Sequence, residues 1–294
     1  MTKNSHYGVW RVSTDWTAAL AVELEQLGFD GLWIGGLNDG GLHVAEELLA
    51  ATRDIPVASG ILNIWRADAD VVARSFHRLE DRFPGRFTLG VGVGHREGVD
   101  RYTTPYTAMN EYLDVLDAHK VPADRRVLAA LGDRMIKLAA SRARGAHPYL
   151  TTPAHTTHAR DLLGVEPLLA PEQKVVVHSD PQVARSIGRP VVDKPYLQLA
   201  NYRKNLKTLG YTDADLDNGG SDRLVDDLVV HGDLAQVAAR LADHHAPEAD
   251  QVVIQLLSET GPAPIHSYRE LAQALGITPR EARPSAPEAT DASR

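Results

Sequence analysis

The chain alternates between short β-branched runs and amphipathic stretches, and this alternation restricts the fold more than any other sequence feature. A buried parallel strand is typically a short apolar run, whereas an amphipathic helix repeats its apolar positions every three or four residues. Such runs occur at residues 7–12, 31–35, 55–64, within 84–97, and at 126–130, 147–151, 174–178 and 251–256. The chain therefore predicts an α/β fold with parallel strands.

Eight strands alternating with helices favour a closed (β/α)8 TIM barrel, and an open doubly wound sheet is the alternative. The segment between strands seven and eight is far longer than one crossover helix needs. We expect it to form a helical insertion at about residues 181–246, around one end of the barrel. We expect one domain over residues 1–278 and a disordered tail over 279–294, which is rich in Pro, Ala and charged residues.

Composition excludes several classes of function. The 294 residues contain no cysteine, which rules out disulfides, thiolate metal sites, iron–sulfur clusters and thiol nucleophiles. The net charge of −8 is spread along the chain and gives no electrostatic footprint for nucleic acid. No apolar leader and no membrane-length apolar run is visible. The sequence thus predicts a cytoplasmic protein that acts on a small molecule, without nucleic-acid or membrane partners.

The stretch PGRFTLGVGVGHRE, residues 84–97, ends a predicted strand in alternating glycines followed by His95. Glycines at a strand end leave the backbone without side-chain cover, so a planar or phosphorylated ligand can lie against it. The alternative is a turn whose glycines only allow close packing of helix and strand.

In a (β/α)8 barrel the active site lies at the carboxyl ends of the strands. The residues predicted there are mostly glycine, backbone and apolar surface, which suits a flat cofactor that carries the reactivity itself. Gly132 precedes a predicted helix, whose free N–H groups can bind an anion. An ordinary turn with Asp133 near the helix start is the alternative.

Thirteen histidines raise the question of a metal site. His155 and His158 are three residues apart, but no third ligand is evident and no His-x-His follows strand one, so we predict no metal. His244 and His245 are interpreted as solvated residues at a helix end. His95 is a candidate proton donor to a bound ligand, or it simply hydrogen-bonds a loop carbonyl.

The strings RSFHRLEDRFPGRFTLGVGVGH and ASGILNIWRADADVVA resemble the bacterial luciferase-like superfamily, whose members are (β/α)8 enzymes that use reduced flavin or the deazaflavin coenzyme F420. The strings LAALGDRMIKLAASRARGAHPYL, LLAPEQKVVV and LANYRKNLKTLGY are similar to a branch described as probable F420-dependent oxidoreductases. The resemblance covers the chain to about Leu275 and also makes a homodimer a candidate assembly.

The resemblance implies site residues. A non-prolyl cis peptide at Gly60–Ile61 would back the cofactor ring. The residues implied to contact the ring or its ribityl phosphate arm are Asn63, Gly92, Gly94, His95, Ala130, Leu131 and Gly132. Sugar-phosphate-oxidising relatives carry an Asp-His pair after strand two, where this chain has Gly36 and Leu37, so that reaction is not expected.

The implied function is hydride transfer between F420 and a small organic substrate at the barrel's carboxyl end, with His95 as the candidate catalytic acid or base. The alternatives are an FMN-dependent luciferase-like monooxygenase, a non-catalytic flavin- or deazaflavin-binding protein, and a metal-dependent barrel hydrolase. Residues that could cover the site or meet the acidic tail of the cofactor are Tyr196, Asn201, Tyr202, Arg203 and Lys204. For Arg203 and Lys204 a solvated helix face is the alternative.

Overall fold

The computed structural model describes residues 6–94, 104–246, 248–259 and 261–280. Its strands form a curled sheet that is parallel throughout, apart from one short hairpin strand. The strands are β1 (Tyr7–Val12), β2 (Leu32–Gly35), β3 (Val57–Ser59), β4 (Leu62–Asn63), β5 (Phe87–Gly92), β6 (Arg126–Leu128), β7 (Gly145–Ala146), β8 (Leu168–Leu169), β9 (Glu172–Val177), β10 (Val229–Gly232), β11 (Val252–Ser258) and β12 (Gly261–Pro262). The hairpin partner is β12, which runs antiparallel to β11.

The strand order closes into a ring through the segment that carries β8 and β9. Strand β11 pairs with β1, and the order continues through β2, β3, β5, β6 and β7 to β8. Only Ala170 and Pro171 separate β8, which pairs with β7, from β9, which pairs with β11. The N–H of Leu168 donates to Arg144 O at 2.8 Å, and the N–H of Val253 donates to Pro171 O at 2.9 Å. One continuous segment therefore closes the ring, and the predicted (β/α)8 architecture is confirmed.

Helices pack around the outside of this ring. Those following the barrel strands are α1 (Ala18–Leu27), α2 (His43–Ala51), α3 (Ala69–Arg82), α4 (Pro105–Ala118), α5 (Asp133–Arg142), α6 (Pro153–Leu163) and, last, α12 (Ile265–Ala274). Local signals set their ends: the Thr17 side chain accepts from Leu20 N at the start of α1, and Gly28 ends that helix with φ 94°. No helix of the described residues is long and apolar enough to cross a membrane.

The segment between β9 and β11 carries helices and a strand. Its helices are α7 (Pro181–Asp193), α8 (Ala200–Thr208), α9 (Asp213–Leu216), α10 (Asp222–Leu228) and α11 (Leu234–Ala242). Strand β10 lies between α10 and α11 and pairs with the end of β9. The expectation of a helical insertion missed this strand, because Val229 and Val230 continue the apolar pattern while the backbone becomes extended. The segment buries its own apolar cluster, which includes Tyr202, Leu206 and Leu224.

Two predicted strands differ from the structure. Strand six was expected at 147–151, but the strand is Gly145–Ala146 and a loop follows it. Pro148 cannot donate a ladder hydrogen bond, and Leu150 has a φ of 54°, which ends the extended backbone. Strand three, expected as one run over 55–64, is divided into β3 and β4 by a cis peptide bond between Gly60 and Ile61.

Close approach of backbone explains Gly90 in β5. A Cβ added there would lie 1.9 Å from the carbonyl oxygen of Ser59 in the neighbouring strand. The Ser59 hydroxyl also donates to Gly90 O at 2.8 Å and accepts from Gly90 N at 2.7 Å. A side chain at this position would have to push β3 and β5 apart.

We expect Gly90→Ala to lower the free energy of unfolding by more than about 3 kcal/mol, because the clash involves backbone on both strands. Gly132→Ala is the matched control, since no atom lies within 4 Å of a Cβ placed at Gly132. Its expected cost is below about 1 kcal/mol. Urea unfolding followed by circular dichroism measures both, and equal losses would contradict this explanation of the glycine.

Candidate active site at the barrel mouth

Trp10 of β1 fills the barrel interior near the carboxyl ends of the strands, which we call the mouth. Its indole is 8% exposed, and Nε1 donates to the carbonyl oxygen of Gly60 at 2.5 Å. Gly35 of β2 is a glycine because this indole occupies the adjacent space: an added Cβ would lie 1.9 Å from a ring carbon of Trp10. Trp10 therefore forms an apolar floor beneath the mouth and fixes the position of the Gly60 carbonyl.

The cis bond between Gly60 and Ile61, implied by the family resemblance, is present. The structure brings the neighbouring site candidates together. A Cβ at Gly92 would lie 2.8 Å from the Ile61 side chain, and one at Gly94 would lie 2.5 Å from Asn63 Nδ2. Both glycines thus make room for protein side chains. The expectation that they leave bare backbone for a ligand overlooked Ile61 and Asn63, which come from a different part of the sequence.

The start of α5 is open. Gly132 is its N-cap, with φ −98° and ψ 157°, and no side chain caps the helix there. The preceding residues are fixed: Ala130 is buried, and the carbonyl of Leu131 lies 2.9 Å from Nε2 of His155. A Cβ at Gly132 would meet no atom within 4 Å, so space is open beside this helix start, where the positive end of the helix dipole lies.

His155 and His158 have hydrogen-bond partners in the protein. His155 bonds the backbone of Leu131, and His158 bonds Asp133 at 2.9 Å, which lowers the pKa of that carboxyl. Among the described residues no group of three or more His, Asp or Glu could hold a metal ion. His95, the predicted catalytic residue, lies outside the described residues, so its role stays a prediction.

The interpretation of His244 as solvated was wrong. Its side chain is fully buried, with Nδ1 2.8 Å from Thr156 Oγ1 and Nε2 2.8 Å from Gln173 Oε1. Burial lowers its pKa to about 3. The sequence shows only two adjacent histidines at a helix end and does not reveal that β9 and α6 pack against the first of them.

Sequence reasoning missed a buried ion pair on β9. Glu172 and Lys174 alternate with outward-facing residues, so both face the interior of the barrel. Lys174 Nζ lies 3.0 Å from Glu172 Oε1, and neither side chain is more than 1% exposed. The other carboxylate oxygen, Oε2, accepts from Leu150 N at 2.9 Å. The alternation E-Q-K at the start of an apolar strand was the available signal, but the predicted strand began only at Lys174.

The ion pair belongs to a larger polar and aromatic network at the mouth. Lys174 Nζ lies 3.9 Å from the centroid of the Tyr149 ring, and the Tyr149 hydroxyl donates to Gln255 Oε1 at 2.8 Å. Tyr149 contacts Trp10 on one side, at 5.2 Å between ring centroids, and Tyr196 on the other, at 5.4 Å. The network therefore joins the floor of the mouth to the segment that follows β9.

Burial determines the protonation tendencies in this network. It lowers the pKa of Lys174, while the adjacent Glu172 carboxylate opposes that shift. Burial raises the pKa of Tyr149 well above its ordinary value, and the nearby Glu172 charge adds to the effect. Tyr149 is thus a neutral hydroxyl donor near neutral pH.

Two of the basic residues of α8 are already paired with carboxylates. Arg203 bonds Asp213 and Asp217 at 3.1 and 2.9 Å, and Lys207 lies 2.7 Å from Asp213. Asn201 and Lys204 are exposed. For Arg203 these ion pairs favour the solvated helix face over a contact with an acidic cofactor tail.

His147 lies beneath the mouth, inside the barrel. Its ring stacks on Trp33 with 4.3 Å between centroids, and Nδ1 lies 2.7 Å from Ala170 O. Nε2 is buried and has no hydrogen-bond partner among the described residues. Desolvation lowers the pKa of His147 to about 4.

We expect Lys174→Met to lower the free energy of unfolding by about 3–5 kcal/mol, because it leaves the Glu172 charge buried without its partner. The double variant Glu172→Gln/Lys174→Met removes both charges and keeps an acceptor for Leu150 N, so it should lose far less. Urea unfolding at pH 7 measures both. Equal losses in the two variants would show that packing, and not the isolated charge, determines the cost.

The two buried histidines predict that acid destabilises the fold. Below about pH 6.5 the unfolded chain protonates them, whereas the folded chain keeps His147 neutral to about pH 4 and His244 to about pH 3. Stability is therefore lost as pH falls, by about 2 kcal/mol for each histidine at pH 5.

His147→Gln and His244→Gln should each reduce the dependence of unfolding free energy on pH between 5 and 7, measured by urea unfolding at several pH values. The exposed His266→Gln is the matched control for removal of a histidine. A slope that stays unchanged in both buried variants would contradict neutral histidines in the folded state.

The fold is shared with redox enzymes. The tetrahydromethanopterin reductase of Methanopyrus kandleri, which is F420-dependent, aligns with 94% of this chain and 100% of its own, at 15% identity and a TM-score of 0.70. An F420-dependent secondary alcohol dehydrogenase aligns with 92% of this chain and 99% of its own, at 12% identity and a TM-score of 0.68. The FMN-bound oxygenating constituent of 3,6-diketocamphane monooxygenase from Pseudomonas putida aligns with 94% of this chain and 100% of its own, at 14% identity and a TM-score of 0.65.

Sequence comparison matches part of the chain to a family model. No curated protein sequence matches the chain. The family model of luciferase-like monooxygenases matches residues 3–120, which include β1 to β5 and the segment from Gly60 to Gly94. The resemblance to the luciferase-like monooxygenase family, predicted from the sequence, is thereby confirmed.

Proposed function

We propose that this protein is an oxidoreductase that transfers hydride between coenzyme F420 and a small organic substrate at the barrel mouth. The observation that carries the proposal is the likeness, over more than nine-tenths of the chain, to solved enzymes described as F420-dependent or in complex with FMN. The family match over residues 3–120 supports it, because those residues form the side of the mouth implied to face the cofactor.

The residues at the mouth fit a flat ring system. Trp10 forms an apolar floor, and the Ile61 and Asn63 side chains pack on Gly92 and Gly94 beside it. When bound, the deazaflavin would supply the hydride chemistry. The protein would orient the ring, exclude water and hold the substrate against it.

The start of α5 fits a phosphate. Gly132 has open space beside it and no side-chain cap, so N–H groups in the first turn are available to an anion. The proposal places the ribityl phosphate arm beside Ala130, Leu131 and Gly132. Its acidic tail has no assigned partner on α8, since Arg203 already bonds two aspartates.

Aromatic residues give the mouth its water-excluding cover. Tyr149 is flanked by Trp10 and Tyr196, and Tyr196 meets Tyr202 of α8 at 5.0 Å between centroids. A dry, largely apolar cavity strengthens electrostatic interactions at the reacting atoms. His95 remains the proposed proton donor or acceptor of the reaction, from outside the described residues.

The choice of F420 over FMN rests on the sequence strings that resemble the F420-dependent branch. Calorimetric titration of the purified protein with each cofactor tests it, and the proposal expects micromolar or tighter binding of F420 with much weaker binding of FMN. Preference for FMN would move the function to a monooxygenase. Binding of neither would overturn the proposal.

Substitutions at Gly132 locate the phosphate. Gly132→Asp places a carboxylate at the N-cap of α5, which favours the helix but repels a phosphate, so we expect cofactor affinity to fall by more than tenfold. Gly132→Asn caps the helix equally well without charge and should keep affinity within about threefold. Calorimetry gives both values, and an equal loss in the two variants would place the anion elsewhere.

A further inference from the structure

Gln255 of β11 has its side-chain oxygen held by two donors. The Tyr149 hydroxyl donates to Oε1 from 2.8 Å and Lys174 Nζ from 3.0 Å. An ammonium group has no acceptor, so the atom facing Lys174 must be the amide oxygen. The amide nitrogen therefore points away from both residues. Its orientation is fixed because only the oxygen can accept from Lys174.

The amide nitrogen of Gln255 is left available. Among the described residues it has no hydrogen-bond partner, and the side chain is only partly buried, unlike those of Glu172 and Lys174. Two donors on the carbonyl side polarise the amide and make its N–H groups better donors. The two N–H groups of Gln255 Nε2, which we call the donor pair, are thus fixed and polarised beside an aromatic surface.

The location of this donor pair matches the proposed mouth. Tyr149, which holds Gln255, contacts Trp10, and Trp10 holds the carbonyl of Gly60. Gln255 and the Gly60–Asn63 segment therefore belong to one connected set of contacts. The charge of Lys174 is balanced by Glu172, so the donor pair suits a neutral acceptor better than a strong anion.

We infer that Gln255 Nε2 donates to an acceptor oxygen of the substrate, and that the substrate class is small, largely apolar carbonyl compounds or the corresponding alcohols. This inference rests on the proposed function for the presence of a cofactor, whereas the donor geometry is independent of it. Gln255 is thus a substrate-positioning residue.

The test compares cyclohexanone with methylenecyclohexane, which has nearly the same shape but no acceptor oxygen. Binding is followed by the indole N–H resonances in NMR spectra, with Trp10→Phe to assign the Trp10 signal, on protein with and without F420. We expect the wild type to bind the ketone about fivefold to tenfold more tightly than the hydrocarbon.

Gln255→Met should bind both compounds equally, with hydrocarbon affinity unchanged as a sign that the mouth is intact. Gln255→Glu keeps an acceptor for Tyr149 and Lys174 but removes the donors, and it should also lose the preference. Gln251→Met, at the residue just before β11, is the control and should retain it.

A ketone preference that survives in Gln255→Met, or no ketone binding by the wild type, would overturn the inference. Failure of the proposed function is distinguished by F420 binding itself. If F420 does not bind but the ketone preference disappears only in the Gln255 variants, the donor site stands and the cofactor assignment is wrong.

Discussion

The interior of a closed parallel barrel has to be filled, and near the mouth of this barrel glycines on several strands leave space for larger side chains. Strands β2 and β5 and the end of β3 contribute Gly35, Gly92 and Gly60. Trp10 of β1, the strand paired with β2, packs against Gly35 and bonds Gly60. Glycine at position 35 is thus the condition for the indole beside it, and the shape of the mouth follows from that pairing.

The barrel interior near the mouth also contains a buried ion pair, Glu172 and Lys174. Removing Lys174 and Glu172 from solvent costs several kcal/mol for each ion, and only close pairing with further hydrogen bonds offsets that cost. Leu150 N, Gln255 Oε1 and the Tyr149 ring supply these contacts. Because Tyr149 also packs on Tyr196, the same contacts hold the segment after β9 over the mouth. The contacts that stabilise the buried charges therefore also fix the position of this segment.

The predictable part of the structure is the part that local patterns encode. Alternating strands and helices identified the barrel, and an eight-strand count was enough although strand six was misplaced around Pro148 and Leu150. Contacts between distant segments were not predictable. Glu172 lies two positions before the apolar run recognised from Lys174 onward, and nothing local indicates that Gln255, some eighty residues later, shares its lysine. The burial of His244 was missed for the same reason.

The family model covers one part of the barrel. The family match ends at residue 120, before β6, and includes the Gly60–Gly94 side of the mouth. Tyr149, Lys174 and Gln255 all lie beyond it. A cofactor is the same molecule in every enzyme that uses it, so the surface that binds it is held to one shape. Substrates differ, and the polar groups that meet them must differ as well. Under the proposed function, the Gly60–Gly94 side of the mouth would face the cofactor, and Gln255 on β11, four strands from β5 in the sheet order, would meet the substrate from the other side.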